Sequence, residues 1–138
     1  MSQGQHEKGT RFRALHEGPA FVIPNPWDGA SARMLEALGF RALATSSGAC
    51  AGTFGRVDGR VSRDEALRHC EIIVTATDLP VSADLERGFA DDPAGVAETV
   101  RLAAEAGLVG CSIEDSTGNP ETPPLRVRAR RGAGGGGG

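Results

Sequence analysis

The sequence predicts an α/β protein, a parallel sheet joined by helical crossovers. Three observations predict it. Short apolar runs alternate with helix-periodic segments four times over roughly 95 residues, the pattern of strand–helix units. The helical segments are punctuated accordingly, with Asn25-Pro26, Ser62 with Glu65, and Asp92-Pro93 at their starts and Gly39 and Gly107 at their ends. Polar residues follow every strand, and parallel sheets place their chemistry at the C-terminal ends of the strands.

Residues 1–10 are polar, with Gly4 and Gly9, and are expected to form a flexible arm; a short helix over 11–17 leads into the domain. Ala20-Phe21-Val22-Ile23, bounded by Pro24, reads as a buried first strand. Asn25 then serves as N-cap with Pro26 in the first helical position, and Ala30, Met34 and Leu38 form one apolar face. Arg41-Ala42-Leu43-Ala44-Thr45 is the second strand, and the small, Gly-rich residues 46–61 read as a loop. The Ser62/Glu65 capping box predicts a helix over 63–75. Leu79-Pro80-Val81-Ser82-Ala83 is the third strand, its proline at the start, where a missing donor is tolerated. Val96, Val100 and Ala103 or Ala104 share one face of the next helix, and 108–113 form the fourth strand.

Composition bounds the function. The 138 residues amount to one domain or part of a larger one, and 39% hydrophobic with 24% charged residues is ordinary for a globular chain. No run of about 18 apolar residues predicts a membrane span, and the N-terminus lacks the apolar core of a secretory signal, so a cytoplasmic location is expected. The net charge of −3 does not suggest nucleic acid as a partner. Setting aside Arg126, Arg128, Arg130 and Arg131, the 15 basic residues fall to 11 against 18 acids, so residues 1–125 are acidic at −7. Cys50, Cys70 and Cys111 have neither metal-ligand nor redox spacing and read as reduced, mostly buried thiols.

The strand ends carry Asn25, Trp27 and Asp28; Ser46, Ser47 and Gly48; Asp84 and Glu86; and Glu114 and Asp115. Taken singly, each is as readily a helix cap or a solvated loop acid as a functional group. Taken together, Asp84 and Glu114, with Asp58 as a further candidate, are acids able to converge on one hard cation such as Mg²⁺, which uses few carboxylates and keeps several waters. Ser46, Ser47 and Gly48 offer hydroxyl and backbone N–H donors to an anionic substrate.

Asn25-Pro26-Trp27-Asp28, Thr45-Ser46-Ser47-Gly48, Asp58-Gly59, Leu79-Pro80-Val81-Ser82-Ala83-Asp84 and Ile113-Glu114-Asp115-Ser116 occur in this order, and together they resemble the isocitrate lyase/phosphoenolpyruvate mutase superfamily over about residues 12–120. The resemblance implies a (β/α)₈ TIM barrel, of which this chain spells about four N-terminal βα units, an incomplete barrel. It implies Mg²⁺ as cofactor, small 2-oxo or enolate carboxylic acids as substrates, and homo-oligomers that exchange a helix between neighbours. The reactions implied cleave or form C–C bonds, or move a phosphoryl group between carbon and oxygen. Asp84 matches the principal metal-binding aspartate, and Glu114 the glutamate that holds the metal largely through water. Asp58 matches a loop aspartate that acts in the mutase branch. Ser46, Ser47 and Gly48 match the segment that binds the substrate carboxylate and oxyanion; Trp27 and Asp28 match the pocket floor. Asp58 and Ser46 are thus the expected catalytic residues.

Departures from that pattern are specific. The superfamily often carries Asp-x-Asp at the third strand, where this chain reads Ser82-Ala83-Asp84. The loop Ser116-Thr117-Gly118-Asn119-Pro120-Glu121 has neither the cysteine of the lyase branch nor the lysine of the mutase branch. Cys111 is expected in the core, and His69 on a helix, at the surface or partly buried and without a catalytic role.

Six of the 20 glycines fall in the last seven positions, and the tail is nearly limited to residues with GC-rich codons. The expectation is a frameshift, a truncated gene or a sequencing error beginning near residues 120–126, against a genuine flexible basic tail over 121–138. A closed barrel needs about 200 residues or more. The alternative to an enzyme is therefore a non-catalytic half-barrel acting through self-association or a partner. A third reading is a small doubly wound domain with Asp84 and Glu114 as a cation site.

Overall fold

The computed structural model describes residues 3–115; the loop expected after Asp115 and the tail over 121–138 lie outside the described residues. Its elements are α1 (Gln3–His16), α2 (Gly29–Ala37), β1 (Leu43–Ala44), α3 (Ser47–Thr53), α4 (Arg63–Ala76), β2 (Val81–Asp84), α5 (Pro93–Glu105) and β3 (Gly110–Ser112).

The strands are parallel and lie in chain order, β1-β2-β3. Leu43 pairs with Val81, and Ser82, Ala83 and Asp84 pair with Gly110, Cys111 and Ser112. The alternation along β2 sorts its side chains: Val81 and Ala83 are buried, while Ser82 and Asp84 are half-buried on the opposite face. Val81, Ala83 and Leu85 join one core with Ala32 of α2, Cys70 and Ile73 of α4, and Val96 and Ala103 of α5. The crossover helices thus cover the same face of the sheet. A strand order without reversal and with helices on one side is the winding of a barrel; a doubly wound sheet needs a switch point and helices on both faces.

Capping decides where the helices begin. Ser62 and Glu65 form the predicted reciprocal box at α4, and Asp92 with Pro93 opens α5 as expected. Gly39 and Gly107 take φ of +87° and +93° just past α2 and α5.

Several expectations are corrected. The arm is helical: α1 begins at Gln3, and its buried Gln5 donates through Nε2 to the carbonyls of Ala104 (2.6 Å) and Leu108 (3.0 Å). Lys8 and Arg11 reach the carbonyls of Thr77 and Asp78, so α1 is stapled across the turns that lead into β2 and β3. Long-range capping of those carbonyls, which composition does not reveal, orders this polar helix.

The expected first strand pairs with no strand among the described residues, and Val22 is exposed. Pro24 supplies only an acceptor, taking Ala44 N–H at 3.1 Å, and Asn25 Nδ2 donates to Ala44 O at 2.9 Å. Asn25 is therefore engaged elsewhere, and Asp28 caps α2 in a reciprocal box with Ser31. That start turns the helix: Met34 and Leu38 face solvent, while Ala32 and Leu35 face the core. A further correction is α3, inside the expected loop. Ser46 caps it, its small residues Ala49, Cys50 and Ala51 are buried, and Cys50 and Ala51 pack with Val61 and Ala66. Cys111, expected in the core, is exposed on β3, and His69 is buried on α4.

Among the described residues no helix is long and apolar enough to cross a membrane. Gln5→Ala removes the donor that serves two carbonyls; a loss of about 1–3 kcal/mol in urea unfolding is expected, with earlier proteolysis within α1.

Candidate functional site

The site forms where β1, β2 and β3 end. Thr45 follows β1 and is buried; its N–H donates to Ser82 O (2.9 Å), and its Oγ1 accepts Asp84 N–H (3.2 Å). This pins the end of β2 to the start of α3. The Asp84 carboxylate then takes two backbone donors, Ser47 N–H on Oδ2 and Glu86 N–H on Oδ1, both at 3.0 Å. Ser47 Oγ donates to Asp58 Oδ2 at 3.4 Å, and Gly59 N–H meets Asp58 Oδ1 at 2.9 Å. A Cβ on Gly48 would stand 3.7 Å from Asp58 Oδ2, which puts that backbone beside the same acid. Ser46 Oγ accepts Ala49 N–H as the α3 cap.

Glu86 is the acid that sequence reasoning placed at the strand end but left out of the cation set. Its backbone φ is +47°, a left-handed conformation that costs a non-glycine residue about 1 kcal/mol or more. Glu114 N–H donates to Glu86 O at 2.7 Å, which ties the end of β3 to this turn. Burial first, then the charges of Asp58 and Asp84, push the Glu86 carboxyl above its ordinary range; Arg87 opposes this, and Glu114 adds a smaller push. The second carboxylate beside Asp84 thus comes from two residues downstream, as Asp84-Leu85-Glu86, and not from the Ser82 position. A cleft of about 480 Å³ opens beside Glu86, lined also by Gly59, Ser62, Arg63, Arg87 and Phe89.

The other expected residues lie differently. Glu114 is exposed, and its contact with the group is through backbone and charge. Asp28 spends its carboxylate on Ser31 N–H (2.7 Å) and Ser31 Oγ (2.9 Å), bonds that hold its pKa below the ordinary value. Trp27 is exposed, with ring atom Cζ3 3.8 Å from where a Cβ on Gly52 of α3 would sit. Burial pushes the thiols of Cys50 and Cys70 up to about 11, so both stay protonated and unreactive at neutral pH. Among the described residues no three His, Cys, Asp or Glu side chains close around a metal-sized point.

The model of the family described as phosphoenolpyruvate phosphomutase matches residues 12–131. This chain belongs to that family.

Among solved structures, a candidate lyase/mutase from Burkholderia cenocepacia J2315 is 51% identical with a TM-score of 0.89, over 96% of this chain and 50% of that one. A candidate phosphonomutase from the same organism is 39% identical with a TM-score of 0.84, over 94% and 54%. A 2-methylisocitrate lyase of Halalkalibacterium halodurans is 34% identical over 82% of this chain and 38% of its own length. The chain spans about half the length of these solved relatives and less than half of that curated one. For a phosphomutase-family chain the signal for Glu86 was present in the sequence as Asp-x-Glu, two residues later than the pair sought at Ser82.

The coupling among the acids is measurable. Asp84→Asn removes one charge and keeps an acceptor oxygen for one of the two backbone donors, so the Glu86 titration midpoint is expected to fall. Carboxyl ¹³C NMR across pH 3–8 reads this (roughly the range around the ordinary carboxylate value); an unmoved midpoint would show that the two acids do not sense each other.

Proposed function

We propose that this chain carries the cation and enolate site of a Mg²⁺-dependent carbon–carbon lyase or phosphonomutase acting on small 2-oxo or enolate carboxylic acids. The observation that carries the reading is the Asp84 carboxylate, held by Ser47 N–H and Glu86 N–H beside Asp58 at the C-terminal end of a parallel sheet. Relatives named 2-methylisocitrate lyase and oxaloacetate acetylhydrolase support the substrate class. The reading includes a homo-oligomer, as the superfamily resemblance implies, and the cytoplasmic location expected from the sequence.

The residues fit a hard divalent cation. The donors are all oxygens, and the Glu86 carboxyl, raised first by burial and then by the charges of Asp58 and Asp84, is one whose ionised form a cation would favour. Asp84 would hold the ion together with Glu86 or Glu114, and water would complete the shell, since no three described ligands converge. Bound Mg²⁺ supplies Lewis-acid stabilisation of developing enolate charge. The chain's own residues do the rest. Ser46 Oγ accepts from Ala49 N–H, which leaves its O–H to donate to a developing oxyanion. Ser47 and Gly59 orient Asp58, which presents a fixed carboxylate to the reacting end of the substrate. The short α3 sets Ser46, Ser47 and Gly48 in one turn beside these acids. Trp27 stands as an apolar wall further along α3, and Asp28 contributes by fixing the start of α2.

Isothermal titration of Mg²⁺, with oxalate present, tests the reading. Wild-type protein is expected to bind, and Asp84→Ala to weaken binding by at least about tenfold, the loss of one charged ligand (~1.4 kcal/mol or more). Equal affinity in a folded Asp84→Ala variant would make the metal assignment wrong.

A further inference from the structure

His69 is a buried polar group with no part in the site just described. His69 lies on the inward face of α4 among buried Ala66, Cys70 and Ile73, and is 5% exposed. Its Nε2 stands 2.7 Å from the carbonyl oxygen of Trp27, 42 residues earlier in the chain. A carbonyl only accepts, so Nε2 carries the proton in this pair. Nδ1 is buried and has no hydrogen-bond partner among the described residues. A histidine that served only to fill space would be replaceable by any apolar side chain of its size; this one spends its single partnered nitrogen on one distant backbone atom.

That atom belongs to the segment beside the site. Trp27 N–H donates to Ser31 Oγ at 2.9 Å, so with His69 both backbone polar groups of Trp27 are held, one from each side. The indole lies against Gly52 of α3. Gly52 is five positions beyond Ser47, about 7.5 Å of helix rise, and Ser47 touches both Asp84 and Asp58. The path from His69 to the acids runs through one tryptophan and one short helix.

We propose that His69 is a positioning residue: its Nε2–H fixes the Trp27 carbonyl and thereby holds the indole as a wall beside α3 and the carboxylate group. The wall's part in substrate binding rests on the function proposed above; the hold on the indole does not.

Trp27 is the chain's only tryptophan, so its fluorescence reports this contact without any substrate. His69→Leu removes the donor and keeps the volume; His69→Gln keeps an amide N–H. With folding checked by circular dichroism, His69→Leu is expected to lower indole anisotropy and raise the acrylamide quenching constant about twofold, and His69→Gln to restore most of both, the pattern of a lost and regained hydrogen bond. Unchanged anisotropy and quenching in folded His69→Leu would overturn the proposal. Should that variant not fold, ¹⁵N NMR of the wild-type imidazole decides: a neutral ring protonated on Nε2 supports the proposal, and one protonated on Nδ1 overturns it. In an active preparation, KM for the carboxylic acid is expected to rise several-fold in His69→Leu with kcat within about twofold; a change confined to kcat would overturn the wall's role in binding. A failed Mg²⁺ titration would strike the metal reading and leave the optical result standing, so the two failures are distinguishable.

Discussion

The carboxylate of Asp84 accepts Ser47 N–H on one oxygen and Glu86 N–H on the other, and its backbone N–H donates to Thr45 Oγ1. Those three bonds join the end of the central strand to the start of α3, to the turn after β2 and to the residue that follows β1. Charge-assisted hydrogen bonds of this kind are stronger than neutral ones and hold geometry as well as energy. Remove the carboxylate and the N–H groups of Ser47 and of the left-handed Glu86 both lose their acceptor, leaving the Thr45 bonds to hold the strand end to the start of α3.

The two ends of the sheet divide the work. At the N-terminal end, α1 spends Gln5, Lys8 and Arg11 on carbonyls that precede β2 and β3. Lys8, the chain's one lysine, is thereby committed to the end away from the acids. At the C-terminal end, acids crowd one another. Burial first, and then the charges of Asp58, Asp84 and Glu114, push the Glu86 carboxyl upward. A glutamate with a raised folded-state pKa favours folding at low pH, and this contribution fades as pH rises through that pKa. The same crowding that costs stability at neutral pH is what prepares an oxygen-rich site for a cation.

The backbone strain falls at the same place. Glu86 and Phe89 both have positive φ, with Gly88 at +80° between them. Only glycine fits at position 88, since a Cβ there would come within 2.9 Å of Val96 Cγ1. Thr99 Oγ1 donates to Gly88 O at 2.8 Å and holds the turn against α5. The core beneath thus over-determines the turn, which is how a strained conformation persists.

Local chemistry was legible in the residues. Capping boxes, first-turn prolines and C-terminal glycines act within a few positions, so Ser62/Glu65, Asp92-Pro93, Gly39 and Gly107 read correctly from the chain alone. The parallel α/β pattern and the family resemblance were legible for the same reason, carried by short ordered motifs around Trp27, Ser46, Asp58, Asp84 and Glu114. Competition between local signals was not. Asn25 and Asp28 both qualify as caps, and only the pairing of Asn25 with Ala44 assigns the cap to Asp28. Nor were long-range contacts legible: the order of α1 depends on carbonyls about a hundred residues away, and the burial of His69 on the Trp27 carbonyl of another segment. The sequence determined which groups were available and where helices begin; tertiary structure decided which acids meet, because a carboxylate's neighbours are set by strand register and not by spacing along the chain.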